Sequence, residues 1–284
     1  MNETVAFNIL ACILGLVLGS FYNVCIHRGI TGESVVNPPR SKCPNCGHFL
    51  SWWENIPLLS YLILRGRCHS CKQGISIRYP VVEALSGAIA LALSLKFGPG
   101  AKWAVYMAFS GLLIVLGFID LATMFLPLYP MLIGAGAALI CAPLFLGIPL
   151  LDAGLAAGTG AGCFWAVRAA YKRLRGIEGL GEGDIWLMLL IGPLVGLDQL
   201  PFVIIVSGLG LVATSVFFLR GGNESAAEVT APEETPSEQG DNGEDEERGA
   251  LQTPIPYGPF LCAAAIAAVL VGREVLHWYT GLMR

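Results

Sequence analysis

Eight stretches of this chain are apolar enough to be read as bilayer helices: residues 5–26, 79–97, 102–119, 126–146, 150–170, 185–197, 201–219 and 260–279. A bilayer asks for roughly 17–25 such residues per helix, because its hydrocarbon offers no water to an exposed backbone. With 55% hydrophobic and 13% charged residues over 284 positions, the chain falls outside the range of soluble globular proteins. The expected fold is an all-α polytopic membrane protein of about eight transmembrane helices. The sixth stretch is the shortest and is interrupted by Gly192-Pro193. The first begins beside Glu3 rather than a basic segment and lacks a small-residue cleavage site, which favours a retained helix over a signal peptide.

Charge sets the expected orientation. Residues 28–78 carry Arg28, Arg40, Lys42, Arg65, Arg67, Lys72 and Arg78, and positive residues stay on the cytoplasmic side. Alternating eight spans from that start also places Arg168, Lys172, Arg173, Arg175 and Arg220 inside. Only Lys96, Lys102, Arg273 and Arg284 then fall outside. Residues 221–250 hold ten acidic residues and one basic one; without them the formal charge of −4 becomes 16 basic against 11 acidic. That segment has little to bury and reads as a disordered cytoplasmic loop, a solvated spacer or a partner-binding tail.

Cys43-Pro44-Asn45-Cys46 and Cys68-His69-Ser70-Cys71 form two CxxC pairs between the first and second spans. Two such knuckles complete a tetrahedral thiolate site, so Cys43, Cys46, Cys68 and Cys71 are expected to hold a structural zinc ion. A reducing compartment disfavours disulfides, and redox chemistry needs no duplicate pair. Gly47 and Gly74 suit the tight backbone of the knuckles. His48 and His69 are expected at the surface, and Cys12, Cys25, Cys141, Cys163 and Cys262 as small core hydrophobes.

Two carboxylates stand out at span ends on the inner side: Asp120 and Asp184, the latter in Gly181-Glu182-Gly183-Asp184. Asp152 and Asp198 fall at outer ends. A carboxylate at the edge of hydrocarbon is costly and is a functional-site hypothesis. If the two share a site, one holds a proton while the other stays ionised, which suits peptide hydrolysis. Interfacial helix caps, including Asp184 as an N-cap, explain the same positions. So does an ion or proton pathway, as in a coupled transporter. A scaffold built on the zinc domain needs neither aspartate. Glu83, Glu178 and Glu182 are further inner-side carboxylates, with Glu83 a partner either for Arg78 or for a positively charged substrate group.

Further segments narrow the choice: Gly19-Ser20-Phe21-Tyr22-Asn23-Val24, Arg40-Ser41-Lys42-Cys43, Trp52-Trp53-Glu54-Asn55-Ile56-Pro57, Arg65-Gly66-Arg67-Cys68, Ile77-Arg78-Tyr79-Pro80-Val81-Val82-Glu83 and Pro256-Tyr257-Gly258-Pro259-Phe260. In these and in the two aspartate motifs the chain resembles the bacterial type IV prepilin peptidases, membrane aspartic proteases of the G-x-G-D type. The resemblance covers nearly the whole chain except 221–250, and implies that Asp120 and Asp184 are the catalytic pair. It further implies cleavage of the leader of type IV prepilins or type II secretion pseudopilins, at the cytoplasmic face of the inner membrane. Many such enzymes then methylate the new N-terminus with S-adenosylmethionine as donor. Two positions depart from the family pattern: Leu128 stands where Asp is common, and Trp186 where Lys is common. No glycine-rich nucleotide loop is present, so no methyl-donor residues are assigned, and nothing points to nucleic acid. The expected organisation is a first helix (1–26), a four-cysteine zinc domain on the cytoplasmic side (27–78), a peptidase core (79–220), the acidic loop (221–250) and a last helix (251–284).

Overall fold

The computed structural model describes residues 3–34, 41–43, 45–176, 180–221 and 256–282. The acidic segment expected to be disordered lies outside them, apart from Gly221 at a helix end, and so does Glu178. All eight apolar stretches are helical. They form α1 (Glu3–Thr31), α3 (Arg78–Phe97), α4 (Ala101–Thr123), α5 (Leu128–Cys141), α6 (Leu150–Arg175), α7 (Glu182–Val195), α8 (Leu200–Gly221) and α9 (Gly258–Ala267). A short α2 (Leu59–Ile63) lies in the cysteine region, and α10 (Arg273–Leu282) continues α9. Wider π-helical turns at Ala142–Leu146 and Ala268–Gly272 extend α5 and join α9 to α10.

Among the described residues seven helices are long and apolar enough to cross a membrane. The exception is α7, whose 14 residues reach about 21 Å against roughly 30 Å of hydrocarbon. Its surroundings explain the shortness. From Leu187 to Val195 nearly every side chain is buried against protein, so the lipid sets no length for it. It packs between α5, α6 and α9. A Cβ on Gly192 would stand 2.6 Å from the Ala156 carbonyl carbon and the Ala157 nitrogen, so only glycine lets α7 lie against the α6 backbone. On the other side of the molecule, α1 rests on α3 through Gly15 and Gly19, one turn apart, which face Ser86, Gly87, Ala90 and Glu83. The outward faces carry Leu10, Ile13, Ile133, Ile205 and Leu209 fully in the open, as a lipid-facing surface should.

Helix α9 organises the centre, lying against α4, α7 and α8. As a result the C-terminal end of α4 and the N-terminal ends of α7 and α9 meet at one end of the bundle. At the opposite end Lys96 of α3 donates to the Leu270 carbonyl at 2.6 Å and pairs with Glu274 at 2.9 Å. The 29 residues of α1 measure about 43 Å, so its last turns rise past the hydrocarbon and meet the cysteine region.

Candidate active site and metal centre

Asp120 lies in the last turn of α4, which stops when Met124 adopts a left-handed φ of 53° and donates its N–H to the Asp120 carbonyl. Asp184 occupies the first turn of α7. The helix cap there is Gly181 and not Asp184 itself; the Asp184 carboxylate reaches back to the Gly181 backbone, where a Cβ would lie 3.2 Å from its Oδ2. Both aspartates are only 6% exposed. The structure brings the two carboxylates into electrostatic range of one another, although 64 positions separate them in the chain.

A third segment completes the arrangement. The backbone of Gly258, the first residue of α9, lies against the Asp120 carboxylate. A Cβ on Gly258 would lie 2.5 Å from Asp120 Oδ2. Tyr257 stacks on Phe164 with centroids 5.9 Å apart, shares a 2.7 Å hydrogen bond with Ser207, and lies in electrostatic range of Asp184. Leu126 floors the site: its side chain would meet a Cβ on Gly183 at 2.9 Å and one on Gly258 at 3.3 Å. Cys262 is buried beneath the pair, as expected of a small core residue, but within the field of both carboxylates. Two helix N-termini, of α7 and α9, thus point at the pair, and such ends favour negative charge. Chemically, the site can hold one proton between two carboxylates with little water present.

The remaining acidic residues do other things. Asp152 accepts the Leu197 N–H at 3.3 Å at the far end of α7, and Asp198 is exposed beside it. Glu182 pairs with Arg168 at 3.6 Å. Glu83 does not pair with Arg78: its carboxylate accepts the Leu58 N–H at 2.8 Å. Arg78 instead lies over the Tyr79 ring, 5.4 Å from its centroid.

The cysteine region is two knuckles of the same construction. Each is closed by one antiparallel bridge, Lys42 with Phe49 and Arg67 with Gly74. In each, the first cysteine amide donates to a carbonyl five residues on: Cys43 to His48 and Cys68 to Gln73, both at 2.8 Å. The residue after each pair is left-handed, Gly47 at φ 70° and Lys72 at φ 60°. The strained position in the second knuckle is therefore Lys72, and not Gly74 as its composition suggested. All four Sγ atoms lie within 4.8 Å of one another, and Cys43 and Cys71 are 4.0 Å apart. A zinc ion with Zn–S near 2.3 Å sets tetrahedral S···S edges of about 3.8 Å, so the donor set fits that ion. His48 bonds Glu54 at 3.2 Å and His69 packs edge-on to Trp53 at 5.2 Å, so neither joins the cluster. Burial alone would raise the Glu54 carboxyl, but the Ser51 amide at 2.7 Å and His48 outweigh it and hold Glu54 below the usual carboxylate range.

Motif spacing could not have revealed the part played by Tyr257, Gly258 and Leu126. Residues 256–260 stood out only through the family resemblance, and Leu126 carried no signal of its own.

Residues 13–97 match the Bacterial Peptidase A24 N-terminal domain and residues 107–216 the Type IV leader peptidase family. The chain is 33% identical to a prepilin leader peptidase/N-methyltransferase of Burkholderia pseudomallei, over 92% of this chain and 84% of that protein. It is 32% identical to one of Pseudomonas putida, covering 96% and 93% respectively, and 33% identical to one of Aeromonas hydrophila, covering 95% and 92%. No solved structure matches. Similarity of that level across nearly the full length of both partners means that the chain belongs to the prepilin leader peptidase/N-methyltransferase family.

Proposed function

We propose that this chain is a membrane aspartic endopeptidase that removes the leader peptide of type IV prepilins or type II secretion pseudopilins, and then methylates the new N-terminus using S-adenosylmethionine. The observation that carries the peptidase reading is the buried meeting of Asp120 and Asp184, each with a glycine backbone close against its carboxylate, at one end of the helix bundle. That end also holds Arg65, Arg67 and Arg78 of the cysteine region, while Lys96 and Glu274 mark the other. The charge bias supports a cytoplasmic active site in the bacterial inner membrane. A substrate helix inserted beside the enzyme would present its scissile bond at the same depth.

In the reaction the ionised carboxylate takes a proton from a water molecule as its oxygen attacks the scissile carbonyl carbon. The protonated carboxyl hydrogen-bonds the carbonyl oxygen as negative charge develops there. Collapse of the tetrahedral intermediate breaks the C–N bond, and the departing amine takes the proton gained by the base. The Gly258 backbone packs against Asp120 and the Gly181 backbone against Asp184, which limits where each carboxylate can turn. Leu126 and the Tyr257 ring keep the site dry. Four thiolates, from Cys43, Cys46, Cys68 and Cys71, would hold zinc with a closed shell, so the ion folds its domain and performs no chemistry.

The test is prepilin cleavage by the purified enzyme in detergent. Asp120→Asn and Asp184→Asn each remove a proton carrier at nearly constant shape, and each is expected to lose about 10²- to 10⁴-fold in rate. Retained cleavage in either variant rules out the shared-pair mechanism. Zinc analysis of the same preparations is expected to find one ion per chain, lost on substitution of any of the four cysteines by serine. An ion flux abolished by the aspartate variants, with processing intact, would instead support a transporter.

A further inference from the structure

Where the knuckles meet the ends of α1 and α3, the protein encloses a cavity of about 420 Å³, within the roughly 300–1,000 Å³ of small-molecule sites. Neither Asp120 nor Asp184 lines it. Its walls include Asn23 and His27 of α1, Tyr61 of α2, and Arg78, Tyr79 and Glu83 of α3. Two of these carry buried polar atoms without a partner: Asn23 Oδ1, on a residue only 1% exposed, and Arg78 Nε. Asn23 Nδ2 already donates to the Tyr79 carbonyl at 3.0 Å and the Gly19 carbonyl at 3.3 Å, so the free atom is the amide oxygen. One orphan is an acceptor and the other a donor. A buried polar atom left unpaired is costly, and a native protein rarely keeps two in one cavity without something to occupy them. Glu83, 8% exposed, adds a carboxylate on the same helix as Arg78.

An acceptor, a carboxylate and a guanidinium nitrogen lining one cavity form a receptor for a zwitterion. An α-ammonium suits Asn23 Oδ1 and Glu83, and an α-carboxylate suits Arg78. We propose that this cavity is the methyl-donor site, with Asn23, Arg78 and Glu83 holding the amino-acid end of S-adenosylmethionine. The proposal rests on the N-methyltransferase reading of the chain. When bound, the donor supplies an electrophilic methyl on a sulfonium centre. The assignment also gives a use to the segments 19–24 and 77–83, which the hydrolytic site leaves unemployed. It places donor binding where the cysteine region and the membrane helices are both required.

The experiment measures equilibrium binding of tritiated S-adenosylmethionine and of S-adenosylhomocysteine to the purified full chain, with prepilin cleavage followed in parallel. Asn23→Leu, Arg78→Met and Glu83→Gln are each expected to weaken binding about ten- to hundred-fold, as loss of one hydrogen bond to a charged group implies. The loss in binding should exceed any change in cleavage rate by about ten-fold. Ultraviolet cross-linking of the tritiated donor to the unsubstituted enzyme provides a readout that no folding defect can confuse; label is expected on peptides holding Asn23 or residues 78–83. Wild-type enzyme that binds neither ligand would overturn the N-methyltransferase reading itself. Wild-type binding left intact by all three substitutions, with label elsewhere, would overturn this site alone. So would variants that raise KM for prepilin while binding the donor normally, since the cavity would then receive the basic leader.

Discussion

Replacing Gly258 by alanine adds one carbon at a place where the structure has no room for it. That carbon would lie 2.5 Å from Asp120 Oδ2, 3.1 Å from its Cγ and 3.3 Å from Leu126 Cδ1, whereas ordinary contact begins near 3.4 Å. The obstruction on one side is the carboxylate and on the other the first turn of α9, so the carboxylate or the helix must yield by about 0.9 Å. The same movement loosens the close fit of the Gly258 backbone against the Asp120 carboxylate. Catalytic groups tolerate little displacement, and an error near 1 Å costs about 10²-fold in rate, or about 2.7 kcal/mol of transition-state stabilisation. Gly258→Ala should therefore lower kcat for prepilin cleavage about 100-fold with a smaller change in KM, because the substrate's remote contacts are untouched. Gly136→Ala in α5 provides the control: a Cβ there meets nothing within 4 Å, and alanine favours a helix. The assay is cleavage of a purified prepilin in detergent, with zinc content and thermal stability of each variant measured alongside. Cleavage by Gly258→Ala at close to the wild-type rate would refute the claim that this backbone clamp positions Asp120.

Two further outcomes follow from the cysteine region. Lys72 is left-handed at φ 60°, a conformation that glycine adopts freely in the matching position of the other knuckle, so Lys72→Gly should stabilise the metal-loaded protein by about 0.5–1 kcal/mol, read as a higher thermal midpoint; a lower midpoint contradicts the strain argument. Glu54 is held below its ordinary value of 4.5, so its contribution to stability is fully present above about pH 4.5 and is lost as the pH falls through its lower folded-state value. The stability gap between wild type and Glu54→Gln should accordingly shrink on acidification below pH 4.5; a gap that widens there rejects the role given to the Ser51 amide and His48.

Local features of the sequence carried far. Hydrophobic runs needed no tertiary information, because the solvent around a spanning helix is lipid and each helix must satisfy its own backbone. The two CxxC pairs were equally readable, since a knuckle is a turn of a few residues whose sulfurs converge through local bonds such as Cys43 to His48. Topology placed Asp152 away from the aspartate pair, and the structure puts it at the far end of α7. The shortness of α7 was readable, since its stretch is the shortest of the eight, but the reason was not: burial among α5, α6 and α9 frees it from the bilayer rule that the other helices obey. Nor could spacing distinguish a cap from a neighbour of Asp120 at Asp184; the cap is Gly181, and Asp184 lies within electrostatic range of Asp120.

The amino-acid sequence by itself determined that this is a bundle of apolar helices with a four-cysteine cluster and carboxylates at helix ends, because those properties depend on composition and on neighbours within a few residues. Tertiary structure alone decided that Gly258 touches Asp120 across 138 positions of chain, that Leu126 lies under both helix starts, and that Asn23 and Arg78 leave opposite polar atoms facing one cavity. Each of these depends on how helix ends align in space. That alignment is set by close backbone approaches at Gly15, Gly19 and Gly192, whose effect appears only once the partner helix is present.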